Sequence, residues 1–266
     1  MRAVAICVLS KFPDIFTGFR ESVDVDVLQG CQKIVVWDAF LDVDENEKYS
    51  VTRLPFAWQC TYVSSPFKIA ANANRGWRMA ARGRDIVYAG DDTRIIEPKT
   101  IERLQAAAYA IPKTGILAAR IAIPNIVHVN HDDPNLLDVE SRFTWVGFVP
   151  FVFVYICREL INAIGYMDER FTGYSFEDCD YCVRARRAGF LVGYANDVVI
   201  QHDIGKHFGK TFQRVTAGDD GQIWNQVELN QKVFAEKWGI ENTHKKVWEF
   251  INSGGIGGSE TNPATF

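Results

Sequence analysis

No hydrophobic run in this sequence is long enough to cross a bilayer. The longest, Val146 to Cys157, contains Pro150, and a spanning helix needs about 20 apolar residues. The opening M-R-A-V-A-I-C-V-L-S is apolar too briefly for a secretory signal and reads as a first strand. A strong charge of either sign is also missing. Lys and Arg number 29 against 33 Asp and Glu, a net charge of -4. That excludes a general pull toward nucleic acid or anionic membrane and leaves room for a local basic groove. Cysteines are few and scattered, at 7, 31, 60, 157, 179 and 182. In a chain this long they suit reduced thiols and a cytoplasmic setting, not a disulfide framework. No internal repeat is present. What remains is an ordinary globular composition, 47% hydrophobic and 23% charged over 266 residues. The length suits one large α/β domain or two small ones.

Strands and helices alternate along the chain. Ala3 to Leu9 is apolar throughout, as in a strand buried on both faces. Ser10 to Phe19, with Pro13 and Gly18, reads as a loop, and Phe19 to Gly30 as a helix or an irregular segment. Lys33 to Trp37 is a strand ending in Asp38, and Gln59 to Val63 a third. Ile69 to Arg82 places alanines and arginines at helical spacing, with Gly76 permitting close packing. A helix over 97–109, a strand over 114–119 and a loop over 124–141 follow, then a strand over 148–156 and a short helix closed by Gly165. Phe176 to Ala188 reads as a helix with acids in its first turn, 191–194 and 198–201 as two short strands, and 224–238 and 244–251 as helices. The pattern predicts an α/β fold with a mostly parallel, Rossmann-like sheet covered by helices on both faces.

The stretch D-I-V-Y-A-G-D-D-T, Asp85 to Thr93, is the chemical focus. Ile86, Val87 and Tyr88 favour a strand. Ala89 and Gly90 allow close backbone approach, and Asp91 and Asp92 follow at the strand's C-terminal end. Open α/β sheets bind ligands in that place. Hard oxygen donors suit Mg²⁺ or Mn²⁺, which in turn would hold a diphosphate. The plainer alternative is a polar turn after a strand.

Several stretches in order resemble one family. A-N-A-N-R-G-W-R-M-A-A-R-G-R-D-I-V-Y-A-G-D-D-T is similar to the donor half of family 2 glycosyltransferases, inverting enzymes of the GT-A fold. I-G-Y-M-D-E-R-F-T-G-Y-S-F-E-D-C-D-Y-C-V-R-A-R-R-A-G-F resembles their acceptor half. V-I-Q-H sits where the family has a strand ending in a metal-binding histidine, and N-Q-K-V-F-A-E-K-W-G resembles the C-terminal helix of many members. The resemblance covers most of residues 1 to 240. One departure is Gly90, which stands at the first acid of the family's Asp-x-Asp if Asp92 is the second.

The resemblance implies transfer of a sugar from a nucleotide-diphosphate donor to an acceptor hydroxyl, with Mn²⁺ or Mg²⁺ as cofactor. It makes Asp92 and His202 the metal ligands, with His207 the competitor of His202. Asp178 becomes the catalytic base, beside Glu177, which contacts the acceptor or orients its loop. Asp38 is placed to accept from N3–H of uracil or thymine, favouring a UDP- or dTDP-sugar. Asn74 and Gly76 line the nucleotide site, and Asp91 serves the ribose or the metal. Lys206 and Lys210, with Arg214, lie in a glycine-rich segment over 205–221 expected to act as a lid over the diphosphate. The expected layout is a catalytic domain over 1–222, with a nucleotide-sugar half over 1–95 and an acceptor half over 96–222. Helices over 223–252 pack on that domain, and a flexible tail spans 253–266.

Plainer readings exist for most of these residues. A strand-end acid such as Asp38 can simply face water. Asp178 also suits a helix N-terminus. Asp180 and Arg184, four apart, can pair with each other. Cys179 and Cys182 form a C-x-x-C without a second pair, so zinc is disfavoured. His128, His131, Asp132 and Asp133 are read as an acceptor-side loop. Competing functions are a sugar nucleotidyltransferase, whose glycine-rich basic first loop K-F-P-D-I-F does not supply, and an inactive sugar-nucleotide or glycan binding module. The acceptor class stays open among a lipid-linked glycan, a polysaccharide end, a protein, a small molecule and a modified nucleic-acid base.

Overall fold

The structure is a computed structural model and describes residues 2–10, 13–26, 30–39, 58–64, 68–123, 126–128, 141–173, 175–202 and 220–255. Its first half is built of strands and helices in turn, with two places where one described strand follows another. β1 (Val4–Ser10) is buried at every position, and α1 (Pro13–Asp26) follows. Next come β2 (Gln32–Ala39), β3 (Trp58–Ser64), α2 (Ile69–Met79), β4 (Asp85–Gly90) and β5 (Thr93–Ile95). The second half runs α3 (Thr100–Ala110), β6 (Thr114–Ile123), β7 (Ile126–His128), β8 (Phe143–Trp145), β9 (Phe153–Ile156), α4 (Arg158–Ile164), α5 (Glu177–Arg187) and β10 (Leu191–His202). Two helices close the described chain, α6 (Asp220–Trp238) and α7 (His244–Asn252).

The described strands form one sheet in the order β3-β2-β1-β4-β9-β6-β10-β5, with β7 beside β6 and β8 beside β10. β3, β2, β1 and β4 are mutually parallel. β9 is antiparallel to both β4 and β6, so those two run the same way, and β6 is parallel to β10. The C-terminal ends of β1, β2, β4 and β10 therefore lie on one edge of the sheet. Alternate residues of β1 point to opposite faces. Ala5, Cys7 and Leu9 pack with α2, α4 and α5 around Trp77 and Tyr181, whose rings meet edge-on at 5.4 Å. Ile6 and Val8 pack with Phe16, Phe19, Ile101 and Leu104 of α1 and α3. A third apolar cluster joins Phe171, Phe176, Cys179 and Val183 to Phe234, Val247 and Ile251 of the last two helices.

Four expectations change. The stretch read as a loop over 10–19 is largely helix, because Pro13 occupies the first helical position, where its missing N–H costs nothing. The two short strands over 191–201 are one strand, β10, whose register against β6 shifts between Ala195 and Val199. The strand expected over 148–156 is confined to Phe153–Ile156, and the residues before it, with Pro150, cross the sheet edge irregularly. β5, β7 and β8 are three-residue strands that pattern alone did not mark. The six cysteines are all free. Among the described residues no helix is long and apolar enough to cross a membrane.

Candidate active site

The site is built on the edge where the parallel strands end. β4 delivers Asp91 and Asp92 there, and Gly90 is the residue that lets them turn. A Cβ at Gly90 would lie 2.8 Å from Asp92 Oδ1, so any larger residue would displace that carboxylate. Asp91 accepts a hydrogen bond from Ser10 Oγ at 2.6 Å, at the end of β1. The guanidinium of Arg94 donates to the carbonyls of Asp91, at 3.1 Å, and Ile15, at 3.4 Å, fastening the turn to α1.

His202 ends β10 and pairs in register with Thr93 of β5. Its Nε2 comes within 3.1 Å of Asp92 Oδ2. The two sequence-derived metal ligands, 110 residues apart, thus meet. His202 Nδ1 is buried without a hydrogen-bond partner among the described residues. The Asp92 carboxylate and the His202 Nε2 converging at a strand end offer an oxygen and a nitrogen that fit a divalent cation. Such ions keep most of their coordination for water and substrate phosphates. No group of three or more His, Cys, Asp or Glu gathers there among the described residues.

The second carboxylate pair opens α5. Ser175 and Phe176 both have positive φ, 83° and 70°, uncommon for residues with side chains and a form of stored strain. That turn sets Glu177 and Asp178 at the start of the helix. Asp178 Oδ1 accepts from the Cys179 N–H at 2.7 Å and Oδ2 from the Phe151 N–H at 3.4 Å. The next residue, Val152, accepts from the Gly90 N–H at 2.8 Å. Two adjacent backbone groups therefore tie the base candidate to the metal-side turn. Burial pushes the Asp178 carboxyl above its ordinary value, and the N–H groups of Cys179 and Phe151 pull the other way. Glu177 is raised well above the usual carboxylate range, first by burial and then by the Asp178 charge beside it. Asp178 still keeps partial contact with solvent, whereas Glu177 is only 7% exposed.

Asn74 is fully buried, and its amide is spent within the protein. Nδ2 donates to the Met167 carbonyl and to Glu169, both at 2.9 Å, and Oδ1 accepts from the Met167 N–H at 2.9 Å. It joins α2 to the loop preceding α5. A Cβ at Gly76 would lie 3.0 Å from Val36 and 3.6 Å from Cys7, so this glycine seats α2 on β1 and β2. Asp38 lies at the C-terminal end of β2, on the site edge. Lys206, Lys210, His207, Arg214, His131, Asp132 and Asp133, and with them the expected lid, lie outside the described residues.

Asp180, read from sequence as a partner for Arg184, has closer partners. It accepts from Lys237 Nζ at 2.8 Å and Trp238 Nε1 at 3.1 Å, while Arg184 stays 3.8 Å away and donates to the Ile164 and Tyr166 carbonyls. Lys237 also reaches Asp168 at 2.7 Å. Cys179 and Cys182 are buried, and burial raises both thiols, the opposite of what a redox or zinc pair needs. Ser10, Phe151 and Lys237 were missed from the sequence. Ser10 had a signal, a polar residue ending an apolar strand; Phe151 acts through its backbone and had none.

No family model matches the chain, and no curated protein matches it in sequence. Solved structures do. The chain is similar to GalNAc-T7 with UDP, GalNAc and Mn²⁺, with a TM-score of 0.64 and 9% identity over 76% of this chain and 43% of that one. It is similar to the mannosyltransferase PcManGT from Pyrobaculum calidifontis in complex with GDP-Man and Mn²⁺, with a TM-score of 0.63 and 13% identity over 95% and 68%. The fold is GT-A. S. aureus TarS 1-349 gives a TM-score of 0.55 and 13% identity over 91% and 73%. The chain spans less than half of GalNAc-T7, so the likeness concerns the GT-A unit. Open α/β sheets commonly bind ligands outside the C-terminal ends of their strands, and Asp92 and His202 stand at the ends of β4 and β10 on that edge.

Proposed function

We propose that the chain is a metal-dependent inverting glycosyltransferase of family 2 type, moving a sugar from a nucleotide-diphosphate donor to an acceptor hydroxyl. The observation that carries this reading is the convergence of Asp92 and His202 at 3.1 Å on the same edge as Asp178. Asp92 and His202 hold the cation, and their mixed oxygen and nitrogen set favours Mn²⁺ over Mg²⁺. Mn²⁺ accompanies UDP and GalNAc in GalNAc-T7 and GDP-Man in PcManGT. When bound, the ion stabilises negative charge on the departing diphosphate.

The chain's own residues do the rest. Asp178 accepts the proton of the attacking hydroxyl, and its raised affinity for protons makes it a better base than an exposed aspartate. Glu177, buried beside it with its carboxyl raised by burial and by the Asp178 charge, orients the acceptor loop. Asp38 receives N3–H of uracil or thymine at the end of β2, which selects a UDP- or dTDP-sugar. Asp91, positioned by Ser10, faces the ribose or the metal. Gly76 gives the close seating of α2 behind the nucleotide, and Asn74 fixes the acceptor loop against that helix. Lys206 and Lys210 supply charge to the diphosphate. Residues 1–222 act as one catalytic unit, with the last helices fastened to its acceptor half.

Donor turnover without acceptor tests the proposal. Mn²⁺-dependent release of nucleoside diphosphate supports it. Pyrophosphate release would instead make the chain a nucleotidyltransferase, and binding without any release would make it a sugar-nucleotide binder.

A further inference from the structure

Charge is distributed unevenly along this chain. From Lys48 to Arg84 it carries seven cations and no acid, leaving 22 cations against 33 acids elsewhere. The structure gathers part of that excess on one surface. The exposed residues of α2 are Arg75 and Arg78, and exposed Lys68 and Arg82 flank it. Arg75 and Arg78, three apart, share a face of the helix, while Lys68 stands just before its first turn and Arg82 in the turn after its last. Among the described residues the acid in contact with this group is Glu169, 3.2 Å from Arg78 and shared with Asn74. Arg75 donates to the Thr61 hydroxyl, a neutral partner.

The basic face leads somewhere. The Arg78 guanidinium lies 4.8 Å over the Tyr166 ring, Asn74 binds Met167, and the Ile69 N–H donates to the Gly173 carbonyl at 3.3 Å. The loop from Tyr166 to Gly173 thus runs beside α2 toward the sheet edge and passes directly into Glu177 and Asp178. The helix, 11 residues at 1.5 Å per residue, is about 16 Å long, and its first end meets Gly173, four residues before Glu177.

We propose that this face holds the phosphodiester backbone of a nucleic acid and guides an acceptor group on that strand toward Asp178. Exposed cations spread from one end of a helix to the other suit an extended polyanion better than one phosphate group. Three of the four are arginines, whose planar fork matches phosphate oxygens in pairs. A membrane surface fits less well. The large exposed apolar side chains among the described residues, Ile96, Tyr109 and Leu229, are all on other elements, so nothing on α2 would insert among lipids. The acceptor role rests on the glycosyl-transfer reading above; the binding does not.

Fluorescence anisotropy with labelled single-stranded and duplex oligonucleotides, over a series of salt concentrations, tests it, with phosphatidylserine vesicles as the second arm. The wild-type chain should bind nucleic acid with affinity that falls as salt rises. The K68A/R75A/R82A variant should bind about tenfold more weakly or worse, with a salt slope reduced by about 0.7 per lost phosphate contact on a single strand. Arg78 is left in place because it holds Glu169. If the triple variant melts early, Arg82→Ala alone, in the turn after the helix, should still lower the slope. No nucleic-acid binding by the wild-type chain, unchanged affinity in a folded variant, or binding to vesicles alone would each overturn the proposal. Diphosphate release from the donor, measured without nucleic acid, decides the glycosyl-transfer reading separately.

Discussion

Asp178 is pulled in two directions. Its place at the start of α5 gives it the Cys179 N–H, which favours the charged form, while the packed surroundings favour the neutral one. Burial wins, which suits a group that must take a proton near neutral pH. Replacing it with asparagine should lower turnover by about 10²–10⁴-fold and leave donor affinity nearly unchanged, since the base meets the acceptor. Weak donor binding with normal turnover at saturation would contradict the assignment. Glu177 permits a stability test that needs no substrate. Its folded value lies above its unfolded one, about 4, so the stability it contributes is full below that pH and lost as pH rises through the folded value. Glu177→Gln should therefore raise the melting temperature at neutral pH, with the gain vanishing below about pH 4. A lower melting temperature at neutral pH would mean that the charged carboxylate has a favourable partner.

At the scale of elements, α6 is fastened to α5 by a buried charge. Asp180 is fully buried, and burial raises its carboxyl even with Lys237 in contact; Asp168, held first by Arg170 and then by Lys237, is lowered instead. Lys237→Met would take the ammonium from the buried Asp180 carboxylate, leaving it the Trp238 N–H and Arg184 at 3.8 Å, and should destabilise the fold by up to about 3–5 kcal/mol in denaturant unfolding. A loss below about 1 kcal/mol would put the pair among ordinary surface bridges. This tie also marks the limit of what the sequence discloses. β4 with its terminal acids, α4 with Gly165 behind it, and α5 with acids in its first turn are written in local signals, and each was legible. The Asp180–Lys237 contact spans 57 residues, and the Asn74 contacts span more than 90. Neither leaves a local trace, so the nearby Arg184 was read as the partner. β5 and β8 exist because β10 offers them backbone groups to pair with, not because three residues prefer a strand. Pro13 was read as a loop signal where it marks a helix start.

One continuous sheet joins the first part of the chain to the second through the β4–β9 ladder, and further hydrogen bonds tie the two near the site edge. Val152 reaches Gly90, Phe151 reaches Asp178, Asn74 reaches Met167 and Ile69 reaches Gly173. A ligand that occupies the edge touches both halves, so its binding energy should add to the stability of the chain as a unit. Nucleoside diphosphate at about 100 times its dissociation constant contributes about 2.7 kcal/mol, and each kcal/mol moves the midpoint of a chain this size by about 2–4 °C. A rise of several degrees is expected with UDP and Mn²⁺ together, and much less with either alone. Asp92→Ala should abolish the joint effect while leaving the ligand-free melting temperature close to that of the parent, because the side chain is held by His202 and not by the core. An equal rise in the variant would remove Asp92 from the metal site. A rise that needs no metal in either protein would leave the diphosphate to the protein's own cations.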